Sequence, residues 1–379
     1  MKKYLSIIVG LCLIGMITFI CFTGKKEEND LRKIRVAEVT HSPFYTPFYV
    51  AIENGYFKEE GLDIELVLTP GADKVSAAVL SNDVEIGFAG PEASIYVYDG
   101  GEEDYIISFA GLTKRDGQFI LAREATDNFK LEDLYNKEIL VGRKGGMPSL
   151  NFLNALKKSN IDPKKININY SVEFAALSGS FIGGIGDYVN LFEPTATKLT
   201  KDNLGYVVAS IGLMSGEVPY TAFNARKSFI NNNEDVIRKF TKALNKGIKY
   251  TLENNETEIA KVILKQFPDS SLNDLSVIIK RYKDYDCFLD STFISEKSFE
   301  NLEDIMIDND LLKSYVPYSD LIKKAMNNKN MNYLSFDDKI IYHKYGMYDV
   351  SFHDIGIYDS DNPYIIVVLT LYGNLGRDV

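Results

Sequence analysis

Tryptophan is absent from the 379 residues, and cysteine and histidine occur only three times each. Cys12 and Cys21 lie in an apolar leader, so Cys287 stands alone in the rest of the chain and no disulfide can form there. The sequence contains no zinc-spaced Cys/His cluster, no P-loop and no nucleophile elbow of the G-x-S-x-G kind. No catalytic constellation is therefore apparent, and we expect neither a cofactor nor a metal.

An excess of basic charge is also absent. The chain has 42 Lys and Arg against 53 Asp and Glu, a net charge of -11, which argues against nucleic acid as a partner. Hydrophobic residues make up 45%, including 24 Tyr and 22 Phe, and this is enough material for the cores of two lobes.

The amino terminus has the pattern of an export signal. Lys2 precedes an apolar run over 5–22, and a charged segment over 25–35 follows it. Cys21 stands where a lipid-modified cysteine would follow cleavage, so we expect a lipid anchor there. The alternative is an uncleaved membrane helix, because the run approaches the roughly 18 apolar residues that such a helix needs. Either interpretation of residues 1–24 tethers the chain to the outer face of the cytoplasmic membrane.

Strand and helix patterns alternate after the leader. Strands are predicted at 34–39, 63–68, 84–88, 105–109, 119–123, 139–141, 166–170, 189–192 and 206–209. Helices are predicted at 43–55, 72–80, from Glu92, from Pro148, and repeatedly after Asn232. This alternation predicts an α/β fold with mainly parallel sheets, whose ligand sites lie beyond the carboxyl ends of the strands. The loops expected at the site are 41–46, 70–73 and 89–93.

The chain is expected to change lobe twice. A candidate hinge lies near 121–124, and the segment 217–220 would return the chain to the first lobe. We therefore expect one lobe from 34–121 plus 219–326 and a second from 122–218, closing by hinge motion around a pocket between them.

Several motifs, in order over about 34–320, also resemble a known family. They are FYVAIENGYFKEEGLDIEL, GADK, VEIGFAGPEASIY, RKGGMPSLNF and GDYVNLFEPTA. They resemble the substrate-binding proteins of nitrate/sulfonate/taurine-type ABC importers, which include binders of the thiamine pyrimidine precursor. The resemblance implies a two-lobed, type II periplasmic-binding-protein-like clamshell that delivers its ligand to a permease and ATPase on separate chains. Whether the ligand is a sulfonate, taurine, nitrate or a pyrimidine-type compound stays open.

Glycine-containing loops supply the first candidate ligand residues. The loop holding Gly145, Gly146 and Met147 precedes a helix, where exposed amides and the helix dipole favour an anion, although a simple tight turn is the alternative. The resemblance implies that this loop contacts ligand. From the other lobe come Gly71, in the GADK loop, and the loop Gly90, Pro91 and Glu92. Glu92 would repel an anion, so it could instead cap its helix or accept hydrogen bonds from an amine or ring nitrogen.

Aromatic and acidic residues supply the others. His41, Phe44 and Tyr45 follow the first strand and could meet a flat heterocycle by stacking and hydrogen bonding. Phe181 and Asp187 lie in a Gly-rich stretch that we expect to be too irregular for a helix. Glu193 is the acid expected to serve recognition or a hinge contact, and Tyr220 lies on the return to the first lobe.

Two enzymatic alternatives fit the sequence poorly. The pyrimidine synthases of thiamine biosynthesis, in the wider family, carry a cysteine-rich iron-related motif, from which a chain with Cys287 as its lone thiol departs. Residues 335–379 are predicted to form a three-stranded meander that resembles the carboxyl-terminal strands of serine hydrolases related to class A β-lactamases, with Lys344-Tyr345-Gly346 as the Lys strand. That class needs a Ser-x-x-Lys motif, which is absent, and Ser360-Asp361-Asn362 comes after the Lys strand. We therefore expect a noncatalytic fragment and no enzyme.

Overall fold

The computed structural model describes residues 31–323 and, as backbone strands, 341–348, 351–358 and 364–369. The leader, with the proposed lipid anchor at Cys21, lies outside the described residues. None of the helices in the described part of the chain combines the length and the apolar character that crossing a membrane requires.

The first sheet has five strands in the order β2-β1-β3-β10-β4. They are β1 (Arg32–Glu38), β2 (Leu62–Leu68), β3 (Ile86–Ala89), β4 (Ile106–Thr113) and β10 (Thr221–Arg226). Strands β1 and β3 pair in parallel, with Val36 opposite Ile86, whereas β10 is antiparallel to both β3 and β4.

The second sheet also has five strands, in the order β7-β6-β8-β5-β9. They are β5 (Phe119–Ala122), β6 (Glu138–Leu140), β7 (Asn167–Asn169), β8 (Tyr188–Leu191) and β9 (Tyr206–Ser210). Strand β6 pairs in parallel with β7 and β8, and β5 is antiparallel to β8 and β9. The expectation of mainly parallel sheets is thus wrong in one respect, since each sheet contains a strand antiparallel to both neighbours. These two strands are β5 and β10, and the chain reaches each of them from the other sheet. Such a connection does not have to follow the right-handed βαβ crossover that joins parallel strands within one sheet.

Fourteen helices are described in residues 31–323. They are α1 (Thr46–Glu53), α2 (Tyr56–Glu59), α3 (Ala72–Leu80), α4 (Glu92–Asp99), α5 (Met147–Lys158), α6 (Leu177–Ile182), α7 (Thr195–Lys201), α8 (Ile211–Ser215), α9 (Lys227–Asn232), α10 (Glu234–Glu253), α11 (Glu256–Ile263), α12 (Leu272–Asp284), α13 (Glu296–Asp308) and α14 (Tyr318–Leu321). Several begin with a side-chain cap: Ser271 accepts from the N–H of Asp274, and Ser295 from that of Ser298.

The chain passes between the sheets twice. It leaves the first sheet after Thr113 and enters the second at Phe119, and it returns between Ser210 and Thr221. Strand β5 belongs wholly to the second sheet, so the first passage lies upstream of the expected hinge at 121–124.

Helix α6 differs from the expectation of an irregular Gly-rich stretch. Leu177 and Phe181, four residues apart, are both buried and anchor one face of this short helix. The helix stops at Gly183, and the positive φ angles of Gly184 and Gly186 turn the chain into β8. Two apolar anchors one turn apart therefore outweigh the low helix propensity of the glycines.

Packed aromatic rings join the first sheet to its helices. Phe88 and Phe223 stack at 4.2 Å across β3 and β10, and Phe48 and Phe240 contact them from α1 and α10. The apolar stripe of α10 is buried, since Val236, Phe240, Leu244 and Ile248 face this core.

The predicted meander is confirmed. Strands β11 (Ile341–Tyr348), β12 (Ser351–Tyr358) and β13 (Tyr364–Leu369) form one antiparallel sheet in chain order, with Ile341 opposite Tyr358 and Tyr358 opposite Tyr364.

Candidate functional site

A cavity of about 70 Å³ lies between the two sheets. Nearly every lining loop follows the carboxyl end of a strand, as the fold class predicts. The lining consists of Val39, Thr40, Tyr45, Gly71, Ala72, Asp73, Ala89, Gly90 and Glu92 with Tyr220 and Thr221 on the side of the first sheet, and Gly142, Arg143, Gly146, Met147, Pro148, Glu173, Phe174 and Phe192 on the side of the second. The loops predicted at 41–46, 70–73 and 89–93 all contribute to it.

Glu92 is the buried charged residue of this lining. It opens α4 and is only 1% exposed. Its Oε1 accepts a hydrogen bond of 3.3 Å from the N–H of Met147 across the cavity, while Oε2 has no hydrogen-bond partner among the described residues. Burial raises the pKa of Glu92 to about 7, against the lowering effects of the Met147 N–H, of Arg143 and of the N–H groups of Glu92 and Ala93.

Close backbone approach fixes the position of this carboxyl group. A Cβ on Gly90 would lie 2.0 Å from Glu92 Oε2 and 2.3 Å from Met147 Cγ. Only glycine fits between the two sides of the cavity at this point, which is a physical reason for the glycine in the GPE sequence.

The start of α5 does not offer the free amides expected for an anion. The N–H of Gly145 donates to Ser149 Oγ at 3.1 Å, that of Gly146 to the Arg143 carbonyl at 3.3 Å, and that of Met147 to Glu92. The protein's own carboxylate thus occupies the place at the helix amino terminus where the sequence suggested a ligand anion.

Two tyrosines stand beside Glu92. Tyr45 and Tyr220 are each 3% exposed, and burial, together with the nearby Glu92 and Asp116, raises the pKa of both phenols. Burial likewise raises the pKa of Asp116, which lies in the first passage between the sheets and accepts from the N–H of Gln118 at 2.7 Å. The charge of Asp116 contributes to the raised pKa of Tyr220. Neither Tyr220 OH nor Asp116 Oδ2 forms a hydrogen bond of normal geometry within the described residues.

The one basic side chain of the lining is exposed. Arg143 keeps 44% of its side chain accessible and lies 3.7 Å from Asp73, from Nε to Oδ1. With Asp73, Glu92 and Glu173, the lining carries three acids against one base.

The predicted ligand residues divide into two sets. Tyr45, Gly71, Gly90, Glu92, Gly146, Met147 and Tyr220 line the cavity, whereas His41, Phe44, Pro91, Gly145, Phe181, Asp187 and Glu193 do not. A role in binding stays a prediction for the first set, and each member of the second has another partner in the fold.

His41 points away from the cavity. Its Nδ1 lies 2.7 Å from Glu38 Oε1 and its Nε2 lies 2.9 Å from the Gln266 carbonyl, with Tyr49 and Phe267 against the ring. Burial lowers the pKa of His41, but the bond to Glu38 and its charge outweigh this, so the pKa is raised overall.

Glu193 lies in a contact between the parts of the chain that carry the two sheets. Its carboxylate is fully buried, pairs with Arg281, and accepts from Thr197 N–H at 2.8 Å. Its carbonyl accepts from Ser42 Oγ at 2.5 Å, and its N–H donates to Tyr282 OH. Burial raises the pKa of Glu193, with Arg281 and Thr197 acting against that rise.

The remaining members of the second set also have contacts outside the lining. Phe44 is fully buried among aromatic rings, Phe181 lies under the Arg123 guanidinium at 4.3 Å, and Asp187 accepts from the N–H of Glu138. The carbonyl of Gly145 accepts from Tyr96 OH at 2.8 Å, which joins α4 to the loop before α5. Pro91 is the cap residue at the amino terminus of α4.

Among the lining residues that the sequence did not predict to bind ligand are Phe174, Phe192, Asp73 and Arg143. A signal was available for two of them, because Asp73 and Arg143 lie in loops that the sequence places at the site. Phe174 belongs to the stretch expected to be irregular and Phe192 follows the next strand, and the sequence pattern does not determine the direction of either ring.

A larger hollow of about 420 Å³ lies between α5 and α13, lined by residues that include Leu153, Lys157, Ile305 and Asp308. Its charged groups are exposed and already paired, since Lys157 forms an ion pair with Asp308. The smaller cavity, with a buried and unsatisfied carboxylate, is the better candidate site. No cluster of His, Cys, Asp and Glu in the described ranges could hold a metal ion.

Two sheets joined by two passages, with a cavity at the carboxyl ends of their strands, define a protein of the two-lobed periplasmic-binding-protein-like fold. Residues 42–258 match the family described as NMT1/THI5 like, and the chain belongs to that family. This confirms the resemblance drawn from the motifs.

A relative from Bacillus subtilis (strain 168), named "Putative binding protein YtlA", is 40% identical over 332 residues, 87% of this chain and 98% of its own length. Among solved structures, the alkanesulfonate-binding protein SsuA from Xanthomonas axonopodis pv. citri bound to MOPS is similar with a TM-score of 0.63 and 16% identity, over 78% of this chain and 99% of that one. The periplasmic aliphatic sulphonate binding protein SsuA from Escherichia coli has a TM-score of 0.60 and 15% identity, over 77% and 97%. All three are described as binding proteins, in agreement with the expectation that this chain is not an enzyme.

Proposed function

We propose that this chain is the extracytoplasmic solute-binding subunit of an ABC importer, which captures a small ligand between two lobes and delivers it unchanged to a separate permease. Membership of the NMT1/THI5-like family and the fold shared with sulfonate-binding proteins support this function. The proposal includes tethering at the outer face of the cytoplasmic membrane through Cys21 or an uncleaved leader helix.

The observation that carries the proposal is the bond from Met147 N–H to Glu92 across the cavity. It joins a loop of the first sheet to the start of a helix beside the second. We propose that the two sheets are the cores of the two lobes, with the passages at 114–118 and 211–220 as the hinge. A solute that contacts both sides would then stabilise the closed arrangement.

A thermal-shift panel tests this function. The purified chain is heated with sulfonates, taurine, nitrate, pyrimidine-type compounds and organic amines, and at least one solute is expected to raise the melting temperature. A solute at 100 times its Kd stabilises the folded state by about 2.7 kcal/mol. Mass spectrometry of the recovered solute should show the starting compound.

Matched glycine variants provide the control. Gly90→Ala should abolish the shift, because its Cβ collides with Glu92, whereas Gly179→Ala should retain it, because no atom lies within 4 Å of that Cβ. Conversion of any panel member into a product, with no solute raising the melting temperature, would overturn the carrier function.

A further inference from the structure

Building on the proposed function, we propose that the solute is a small organic cation whose N–H groups donate hydrogen bonds to Glu92, rather than an anion such as a sulfonate or nitrate. Four features of the cavity support this class of ligand.

The charge of the lining is the first. Asp73, Glu92 and Glu173 face one base, Arg143. That base keeps 44% of its side chain accessible and lies beside Asp73, so its field is partly screened, whereas the carboxyl group of Glu92 is buried. An anion bound here would meet the buried carboxylate without a buried cation to offset it.

The hydrogen-bonding capacity of the cavity is the second. The N–H groups of Gly145, Gly146 and Met147 already donate hydrogen bonds to Ser149, Arg143 and Glu92. These three donors at the start of the helix are therefore not free to bind an anion. Glu92 Oε2 is buried and has no partner among the described residues. A buried oxygen without a donor destabilises the site, more so if it is charged, and a ligand N–H would remove that cost.

The aromatic lining is the third. Tyr45, Phe174, Phe192 and Tyr220 all contribute. The centroids of Phe174 and Phe192 lie 5.8 Å apart, and those of Phe192 and Tyr220 lie 6.2 Å apart, so these rings form adjoining walls. The faces of aromatic rings attract cations, most strongly when the site is desolvated, and they offer no comparable attraction to an anion.

The titration of Glu92 is the fourth. Burial raises its pKa to about 7, and a bound cation would favour the ionised form and release a proton. The titratable groups around it are Tyr45, Tyr220 and Tyr96, whose pKa values are raised, together with Arg143 and the buried Asp116. Affinity for a cation of fixed charge should therefore increase as the pH rises from 6 to 8.

Calorimetric titration with probes of opposite charge tests the proposal. Methylguanidinium and acetamidinium keep their charge from pH 6 to 8, and methanesulfonate and nitrate are the anionic probes. We expect saturable binding of at least one cationic probe in the millimolar range, with a Kd that falls by up to about tenfold per pH unit below pH 7. The anions should not bind.

Two variants test whether Glu92 is the group that binds the cation. Glu92→Gln should weaken the cation at least tenfold at pH 8 and remove the pH dependence, while Glu124→Gln, at an exposed position outside the lining, should leave Kd unchanged. The pH dependence of the unmodified protein is an independent readout should Glu92→Gln fail to fold.

Failure of this proposal differs from failure of the carrier function. Binding of an anion or a neutral solute, with no binding of either cation, overturns the ligand class and leaves the carrier function standing. Binding of a cation without dependence on Glu92 also overturns it. If no compound in the wider panel binds and a product appears, the carrier function itself is lost.

Discussion

Glu92 combines two conflicting requirements at the scale of a single residue. The amino terminus of α5 and the N–H of Met147 favour a carboxylate, and burial in the cavity disfavours its charge. Burial has the larger effect, so the folded protein holds the proton more tightly than an exposed glutamate does. A site in this condition is sensitive to any ligand that supplies positive charge.

A stability profile against pH should reveal this proton. The folded pKa of about 7 lies above the usual value of 4.5, so the contribution of Glu92 to stability is complete below pH 4.5 and is lost as the pH rises through 7. Relative to the wild type, Glu92→Gln should gain up to about 3 kcal/mol in unfolding free energy between pH 5 and 8. His41, whose raised pKa acts in the same direction, is common to both proteins. Urea unfolding at each pH measures the difference, and parallel curves would contradict the assignment.

Cys287 gives a second prediction for one residue. It is 2% exposed, and burial raises the pKa of its thiol to about 12. The thiolate is the reactive form, so we expect native Cys287 to resist maleimide at pH 7.5 and to react promptly in denaturant. Peptide mapping by mass spectrometry distinguishes it from the two leader cysteines. Fast labelling of the native protein would contradict this burial.

Secondary-structure elements were largely predictable because their signals are local. Gly55, where the sequence ends a predicted helix, has positive φ, and Glu92 does open a helix. The side chains of the site were less predictable. His41 follows a strand as Tyr45 does, but a bond to the Gln266 carbonyl, 225 residues away, turns its ring from the cavity. Spacing cannot show which distant group will satisfy a polar side chain.

Helix packing makes Gly247 a useful test at the scale of elements. In an exposed helix, replacing glycine with alanine stabilises by about 0.5–1 kcal/mol. On α10, however, a Cβ at Gly247 would lie 2.2 Å from the Pro47 carbonyl oxygen and 2.8 Å from Ala51 Cβ on α1. We expect Gly247→Ala to destabilise the protein by about 1–3 kcal/mol, because the helices would have to separate.

Gly179, exposed within α6 and with open space around its Cβ, is the matched position. Gly179→Ala should be neutral or stabilising in the same urea titration. Equal effects of the two substitutions would show that backbone propensity, and not the contact between α1 and α10, decides the outcome.

The connection between the parts carrying the two sheets operates at the scale of the whole molecule. Ser42 donates to the Glu193 carbonyl, Glu193 N–H donates to Tyr282 OH, and Tyr282 OH in turn donates to the Gly117 carbonyl. These bonds join the loop after β1, the segment after β8, helix α12 and the first passage. Any opening of the cavity must leave this junction intact or break it.

Two ion pairs between α12 and the segment containing α7 allow the contribution of this junction to the free energy of unfolding to be measured. Arg281 pairs with Glu193, whose side chain is fully buried, and Lys201 pairs with Asp274 at the surface. Removing one partner of a buried pair typically costs about 3–5 kcal/mol, since a charge is left without compensation, and we expect Arg281→Ala to approach this range. Lys201→Ala should cost less than about 1 kcal/mol, because solvent replaces the lost partner.

The double variant Arg281→Ala/Glu193→Gln separates the charge from the packing. If the uncompensated carboxylate causes the loss, removing its charge should recover part of the stability, and the two substitutions should be far from additive in a double-mutant cycle. Additive effects would mean that Arg281 acts mainly through its contact with the Phe119 ring, 5.2 Å from the guanidinium carbon. Chemical denaturation of the four proteins under one condition decides between these outcomes, and thereby whether a buried charge or an apolar surface holds the two parts together.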